Sequence, residues 1–270
     1  MDIEAATNLL HKWQSVGPTL EDNFSLLTAL FKADDDNENI NIGGGSFLLE
    51  FHGFYLGPKS EAMLRIEQVY PDLEIPAEEY LEVSWIESLA HIAGLDSVAQ
   101  MKDRFLKWDH RAFKAKIDLP KSPLPLKAIT GVLERLLKEP RGFVVFNGFN
   151  GMMGKISREA SPFPHRKGTL MMVEYIVAWN MDEDLESHKF LSWLNELYEY
   201  VSQFIINDNP RVSYVNHVDF DHGEIDWRNE SSASNAIEIS RKWGEKYFLS
   251  NYDRLIYSSP HVFEQRKTHP

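Results

Sequence analysis

The sequence predicts an α+β fold in which an antiparallel sheet is backed by helices. Three observations carry that prediction. Apolar stretches of strand length recur at hairpin spacing, and segments of helical period are inserted between the hairpins instead of following every strand. In addition, 43% of the 270 residues are apolar against 26% charged, a balance that closes a core. At this length a compact chain buries about three quarters of its unfolded surface.

The elements follow in order. Residues 3–16 space Ile3, Ala6, Leu9, Leu10 and Trp13 at helical intervals, and Gly17-Pro18 stops them. Residues 24–31 and 46–55 read as strands around the acidic turn Asp34-Asp35-Asp36-Asn37 and the run Gly43-Gly44-Gly45. Helices are expected over 60–69, ending before Tyr70-Pro71, and over 85–93, closed by Gly94 as a C′ glycine. Residues 112–119 look extended, and Pro120, Pro123 and Pro125 stiffen the connection to a helix over 126–138. Three strands are expected over 142–147, 151–156 and 170–179, then a long helix over 182–206 that repeats Leu185, Phe190, Leu191, Leu194, Leu197, Tyr198 and Val201 at three and four. A short strand over 212–218, an acidic loop over 219–229 and helices over 234–249 and 251–257 complete the chain.

Charge and composition exclude several classes. Twenty-eight Lys and Arg against 41 Asp and Glu leave a net charge of −13 with no basic stripe, so nucleic acid is not the expected partner. The longest apolar run is interrupted by Glu174, so no membrane span is expected, and the start Met-Asp-Ile-Glu is not a secretory leader. With no cysteine, disulfides, thiol nucleophiles and zinc–thiolate sites are excluded within this sequence.

Candidate chemistry is sparse. Gly43-Gly44-Gly45 lacks the residues of a phosphate loop and reads as a turn. Gly148, Gly151 and Gly154 suit either a bulged turn or a backbone running close to a flat ligand. Asp219, Asp221, His222, Glu224 and Asp226 miss the spacing of a calcium loop and read as a solvated turn, so no metal is expected. Tyr214-Val215-Asn216-His217 on a strand would put polar groups on both faces; one face should meet a ligand or another domain, with a hydrogen-bonded core histidine as the default. Glu174 stands in Met171-Met172-Val173-Glu174-Tyr175-Ile176-Val177-Ala178-Trp179, a run typical of a buried strand. A carboxylate there must be paired, protonated or facing a cavity, and taken alone a structural ion pair is favoured. Desolvation raises a buried carboxylate's pKa, which is how a protein prepares a general base.

Five segments in order resemble the plant berberine bridge enzyme family, FAD-linked oxidoreductases related to vanillyl-alcohol oxidase. They are Ser84-Trp85-Ile86-Glu87-Ser88, Phe113-Lys114-Ala115-Lys116, Ser161-Pro162-Phe163-Pro164-His165-Arg166, Tyr214-Val215-Asn216-His217-Val218-Asp219 and Trp243-Gly244-Glu245-Lys246-Tyr247-Phe248. Glu174 within Val-Glu-Tyr-Ile-Val-Ala-Trp, and His217 after Asn216, narrow the resemblance to members that oxidise reticuline.

The resemblance implies a carboxyl half: residues 1–210 as the substrate-binding domain, and residues 211–270 as a segment that packs on an FAD-binding domain absent from this chain. It implies FAD as cofactor, with the attachment residues outside this sequence. It also implies a benzylisoquinoline alkaloid and O2 as small-molecule partners, a complementary FAD-binding half, and secretory or vacuolar localisation. The implied reaction is oxidative ring closure of (S)-reticuline to (S)-scoulerine with release of hydrogen peroxide. The alternative is a non-catalytic alkaloid-binding module or inactive fragment. Residue by residue, Glu174 would be the catalytic base, Tyr214 and His217 would line the substrate pocket with Trp108, and Asn216, Tyr214 and Asn147 would meet the flavin. The tail from Ser258 to Pro270 departs from the family pattern. Asn23-Phe24-Ser25 and Asn229-Glu230-Ser231 are glycosylation sequons.

Overall fold

A computed structural model describes residues 1–33, 46–103, 111–139, 141–149, 151–157, 160, 163 and 165–205. The chain begins with helix α1 (Ile3–Val16), capped by the Asp2 carboxylate, which accepts from Ala5 N. Strands β1 (Phe24–Lys32) and β2 (Phe47–Tyr55) pair as a hairpin. Helices α2 (Lys59–Val69) and α3 (Trp85–Ile92) follow. A capping box between Ser84 and Glu87 starts α3, and Gly94 at φ +66° ends it. Gly94 N donates to His91 O and Leu95 N to Ala90 O, the Schellman pairing expected of a C′ glycine. Strand β3 (Arg111–Asp118), helix α4 (Leu126–Leu136) and strand β4 (Gly142–Gly148) come next. The short helix α5 (Met152–Lys155), strand β5 (Met171–Asn180) and helix α6 (Ser187–Ser202) complete the described elements.

The five strands form one sheet in the order β2-β1-β4-β5-β3, every neighbouring pair antiparallel. This is the α+β architecture expected from the sequence. One face is sealed by α1, α4 and α6, where Leu10, Trp13, Leu133, Leu194 and Leu197 bury against Leu30, Val144, Phe146, Val173, Tyr175 and Val177. Small residues let the helices approach: Gly142 faces the Trp193 indole and Gly131 the Tyr200 ring. Several buried polar groups on this side are paired, although the Trp13 indole N–H has no hydrogen-bond partner among the described residues. Gln14, 1% exposed, donates to Leu124 O at 3.1 Å and accepts from Leu124 N at 2.7 Å. The Tyr175 hydroxyl donates to Asp118 at 3.2 Å, and the Lys116 ammonium lies 5.2 Å from the centre of the Tyr198 ring.

Two expectations are corrected. Residues 151–156 hold one helical turn where a strand was expected, because Gly151 turns the chain at φ +52° and extended pairing stops at Gly148. The helix expected over 182–206 starts at Ser187: a 3-10 turn, Met181–Glu186, precedes it, held by an Asn180–Glu183 capping box, and leaves Leu185 93% exposed. Gly43-Gly44-Gly45, the strand at 212–218 and everything assigned beyond residue 205 lie outside the described residues.

Candidate functional site

The other face of the sheet carries the candidate residues that the structure describes. Directly paired residues of an antiparallel sheet share a face, so the register lays out rows across all the strands. One row is Glu50, Ala29, Val145, Glu174 and Ile117; the next is His52, Leu27, Asn147 and Met172; on the far side of the first run Leu48, Phe31, Phe143, Ile176 and Ala115. An open antiparallel face is ordinarily polar. This one is apolar and, among the described residues, incompletely covered: Leu48 is 47% and Phe113 70% exposed, and Phe31 stacks on Phe143 with ring centres 5.2 Å apart. Among the described residues no group of His, Asp and Glu is arranged to hold a metal ion, and no helix is long and apolar enough to cross a membrane.

Glu174 lies on this open face, half-buried, between Ile117 and Val145. The run around it is apolar on both faces, but it is Met171, Val173, Tyr175, Val177 and Trp179 that are sealed in the main core. Asn147, also half-buried, shares the face one row away, diagonal to Glu174 at about 7 Å between the backbones. Glu174 and Asn147 are therefore brought together. Trp108, Tyr214, Asn216 and His217 lie outside the described residues.

One end of the face carries a second, smaller core. Ile117, Leu119 and Met172 are buried there with Phe149 packed against them. Phe163 contacts Phe149 at 5.9 Å and His165 at 5.5 Å between ring centres, and the Arg166 guanidinium sits 5.4 Å from the Phe163 ring while reaching the Met153 sulfur. Part of the Ser161–Arg166 motif thus walls the row that holds Asn147, and His165 is buried within it. The glycine series is a close-packing device: a Cβ at Gly148 would meet the Gly17 backbone at 3.0 Å and one at Gly151 the Asp22 Cα at 2.8 Å, whereas Gly154 faces open space.

Sequence reasoning missed a further polar pair on this face, Glu50 and His52 on β2, whose Oε2 and Nε2 lie 3.2 Å apart. The i, i+2 spacing of Glu50 and His52 placed them on one side of a strand; which strands lie beside them was not readable from one chain. The corner beyond them is closed by Trp85 at the start of α3, edge-on to Phe54 at 5.6 Å.

Comparison with known proteins agrees with this geometry. The family model "Berberine and berberine like" matches residues 213–256. A reticuline oxidase of Eschscholzia californica is 52% identical over 254 residues, covering 94% of this chain and 45% of its own length. One from Papaver somniferum is 45% identical with the same coverage. A solved structure of a berberine bridge enzyme variant in complex with (S)-reticuline superposes with a TM-score of 0.76 at 52% identity, over 95% of this chain and 49% of that one. The chain therefore spans about half the length of the relatives it matches. A half-open antiparallel sheet, the ordered motifs and these identities together make this chain similar to about half of a berberine bridge enzyme.

Proposed function

We propose that this chain is the substrate-binding half of an FAD-dependent oxidoreductase that closes the berberine bridge of (S)-reticuline to give (S)-scoulerine, with Glu174 as the base. The observation that carries the reading is one half-buried carboxylate set in an apolar sheet face that no described helix seals. Such a face suits a flat aromatic ligand layer: Leu27, Val145 and Ile176 offer apolar contact, and the Asn147 amide offers one donor and one acceptor.

FAD, when bound, supplies the acceptor for the hydride leaving the N-methyl carbon and passes the electrons to O2. The protein's own work is positional and protolytic. The apolar rows exclude water and hold the alkaloid rings flat, so that the phenol-bearing ring and the N-methyl carbon stay within attacking reach of each other. The Glu174 carboxylate accepts the phenol proton, leaving a phenolate ring electron-rich enough to form the new carbon–carbon bond. In the same reading Tyr214, His217 and Trp108 complete the substrate side, and Asn147, Asn216 and Tyr214 the flavin side. Residues 1–210 bind substrate while 211–270 pack on the flavin half, and the protein follows a secretory or vacuolar route. The coverage favours a second reading for the chain by itself, an alkaloid-binding module whose turnover needs the half present in its relatives.

Co-expression with the FAD-binding half of a homologous reticuline oxidase tests the assignment. Glu174→Gln is expected to lower scoulerine formation by about 10²–10⁴-fold, the usual worth of a general base. Turnover equal to that of the unmodified complex would remove Glu174 from the mechanism.

A further inference from the structure

We propose that Glu50 and His52 form a distal subsite on the same sheet face, taking the second, non-reacting oxygenated ring of a two-ring alkaloid. This inference rests on the reading that the open face binds substrate, and extends it to the far edge of the sheet.

The register places the two polar groups as opposed poles. Glu50 shares a row with Glu174, and His52 shares the next row with Asn147. Between the poles lie only Ala29, Val145 and Leu27. Strands β2 and β5 are three strand spacings apart, about 14 Å. A single aromatic ring held at Glu174 does not cross that floor, whereas a molecule with two rings reaches toward both poles. The distal pole has the matching chemistry. The Glu50 carboxylate accepts from a phenolic hydroxyl, and the His52 imidazole, 3.2 Å from it, is a further hydrogen-bonding group whose role follows its tautomer. Both side chains are open to a ligand, 43% exposed for Glu50 and 60% for His52. Phe54, next along the same face of β2, and Trp85, 63% exposed and edge-on to Phe54, give the ring a lateral aromatic wall.

The test is calorimetric titration of the purified 270-residue chain and its Glu50→Gln and His52→Ala variants with (S)-reticuline and with the one-ring probe guaiacol. Near-UV circular dichroism confirms that each variant is folded, and the more exposed His52 serves if the Glu50 variant is not. The expected result is reticuline binding weakened at least fivefold in either variant, with guaiacol binding changed less than twofold. Reticuline binding that is indifferent to both substitutions overturns the subsite. An equal loss for both ligands overturns its distal position. No saturable binding of either ligand to the unmodified chain overturns the binding reading and the subsite together. The Glu174→Gln turnover measurement, made on another residue in the reconstituted complex, fails or succeeds independently.

Discussion

Gly142→Ala tests how closely the helical layer is pressed onto the sheet. A methyl group at this position of β4 would lie 2.0 Å from one Trp193 ring carbon and 2.6 Å from two more. The indole has little room to move, being 9% exposed and donating through Nε1 to Arg135 O at 2.9 Å. Overpacking of a filled core costs about 1–3 kcal/mol, and losing the indole's hydrogen bond adds about 1 kcal/mol, for a total of about 2–4 kcal/mol. For a chain of this size that corresponds to a melting temperature roughly 5–15 °C lower. Gly154→Ala is the matched control, because nothing lies within 4 Å of its added carbon and its φ is not positive. In a helical turn that change is neutral or stabilising by up to about 1 kcal/mol. Thermal melts of both variants by circular dichroism decide the matter. If Gly142→Ala melts within 1 °C of the unmodified chain, roughly the resolution of such melts against the shift expected here, the close Gly142–Trp193 packing is refuted.

Further predictions concern the same scaffold. Gln14→Ala leaves the backbone N–H and C=O of Leu124 without their side-chain partner. The expected loss is about 2–4 kcal/mol in urea unfolding, with faster amide exchange at Leu124; slow exchange there would contradict it. The Arg141 guanidinium, hydrogen-bonded to Glu183, holds that carboxyl below its usual value of 4.5. Glu183 therefore stabilises the fold above pH 4.5 and loses that contribution as the pH falls below it through the lower folded value. Glu183→Gln should flatten the acid limb of a stability–pH curve, and an unchanged limb would show the pair to be inert.

Much of the architecture was legible because local signals agreed with one another. The Gly94 cap, the proline after Tyr70 and the three–four spacing in α1 each mark an element end or face that the structure reproduces. The failures share a cause, which is long-range context outweighing local pattern. Residues 151–156 carry strand-like apolar content, yet Gly151 packs against Asp22, far away in sequence, and turns the chain. Leu185 fits the period of α6 but belongs to a 3-10 turn held by the bond from Asn180 N to Glu183. Glu174 was visible as an anomaly, and its meaning was half visible. The sequence shows a carboxylate in an apolar strand, whereas only the pairing of β5 with β3 and β4 shows that its face is open. Glu50 and His52 were hidden for the same reason, since their alignment with Glu174 and Asn147 is made across three strands contributed by distant segments.

The account depends most on where the alkaloid sits. A crystal structure of the chain reconstituted with an FAD-binding half and soaked with (S)-reticuline answers that directly. The predicted result is the alkaloid lying flat across the open face, a phenolic oxygen within about 2.6–3.2 Å of the Glu174 carboxylate. Density for the alkaloid elsewhere, with Glu174 packed against protein alone, would contradict it.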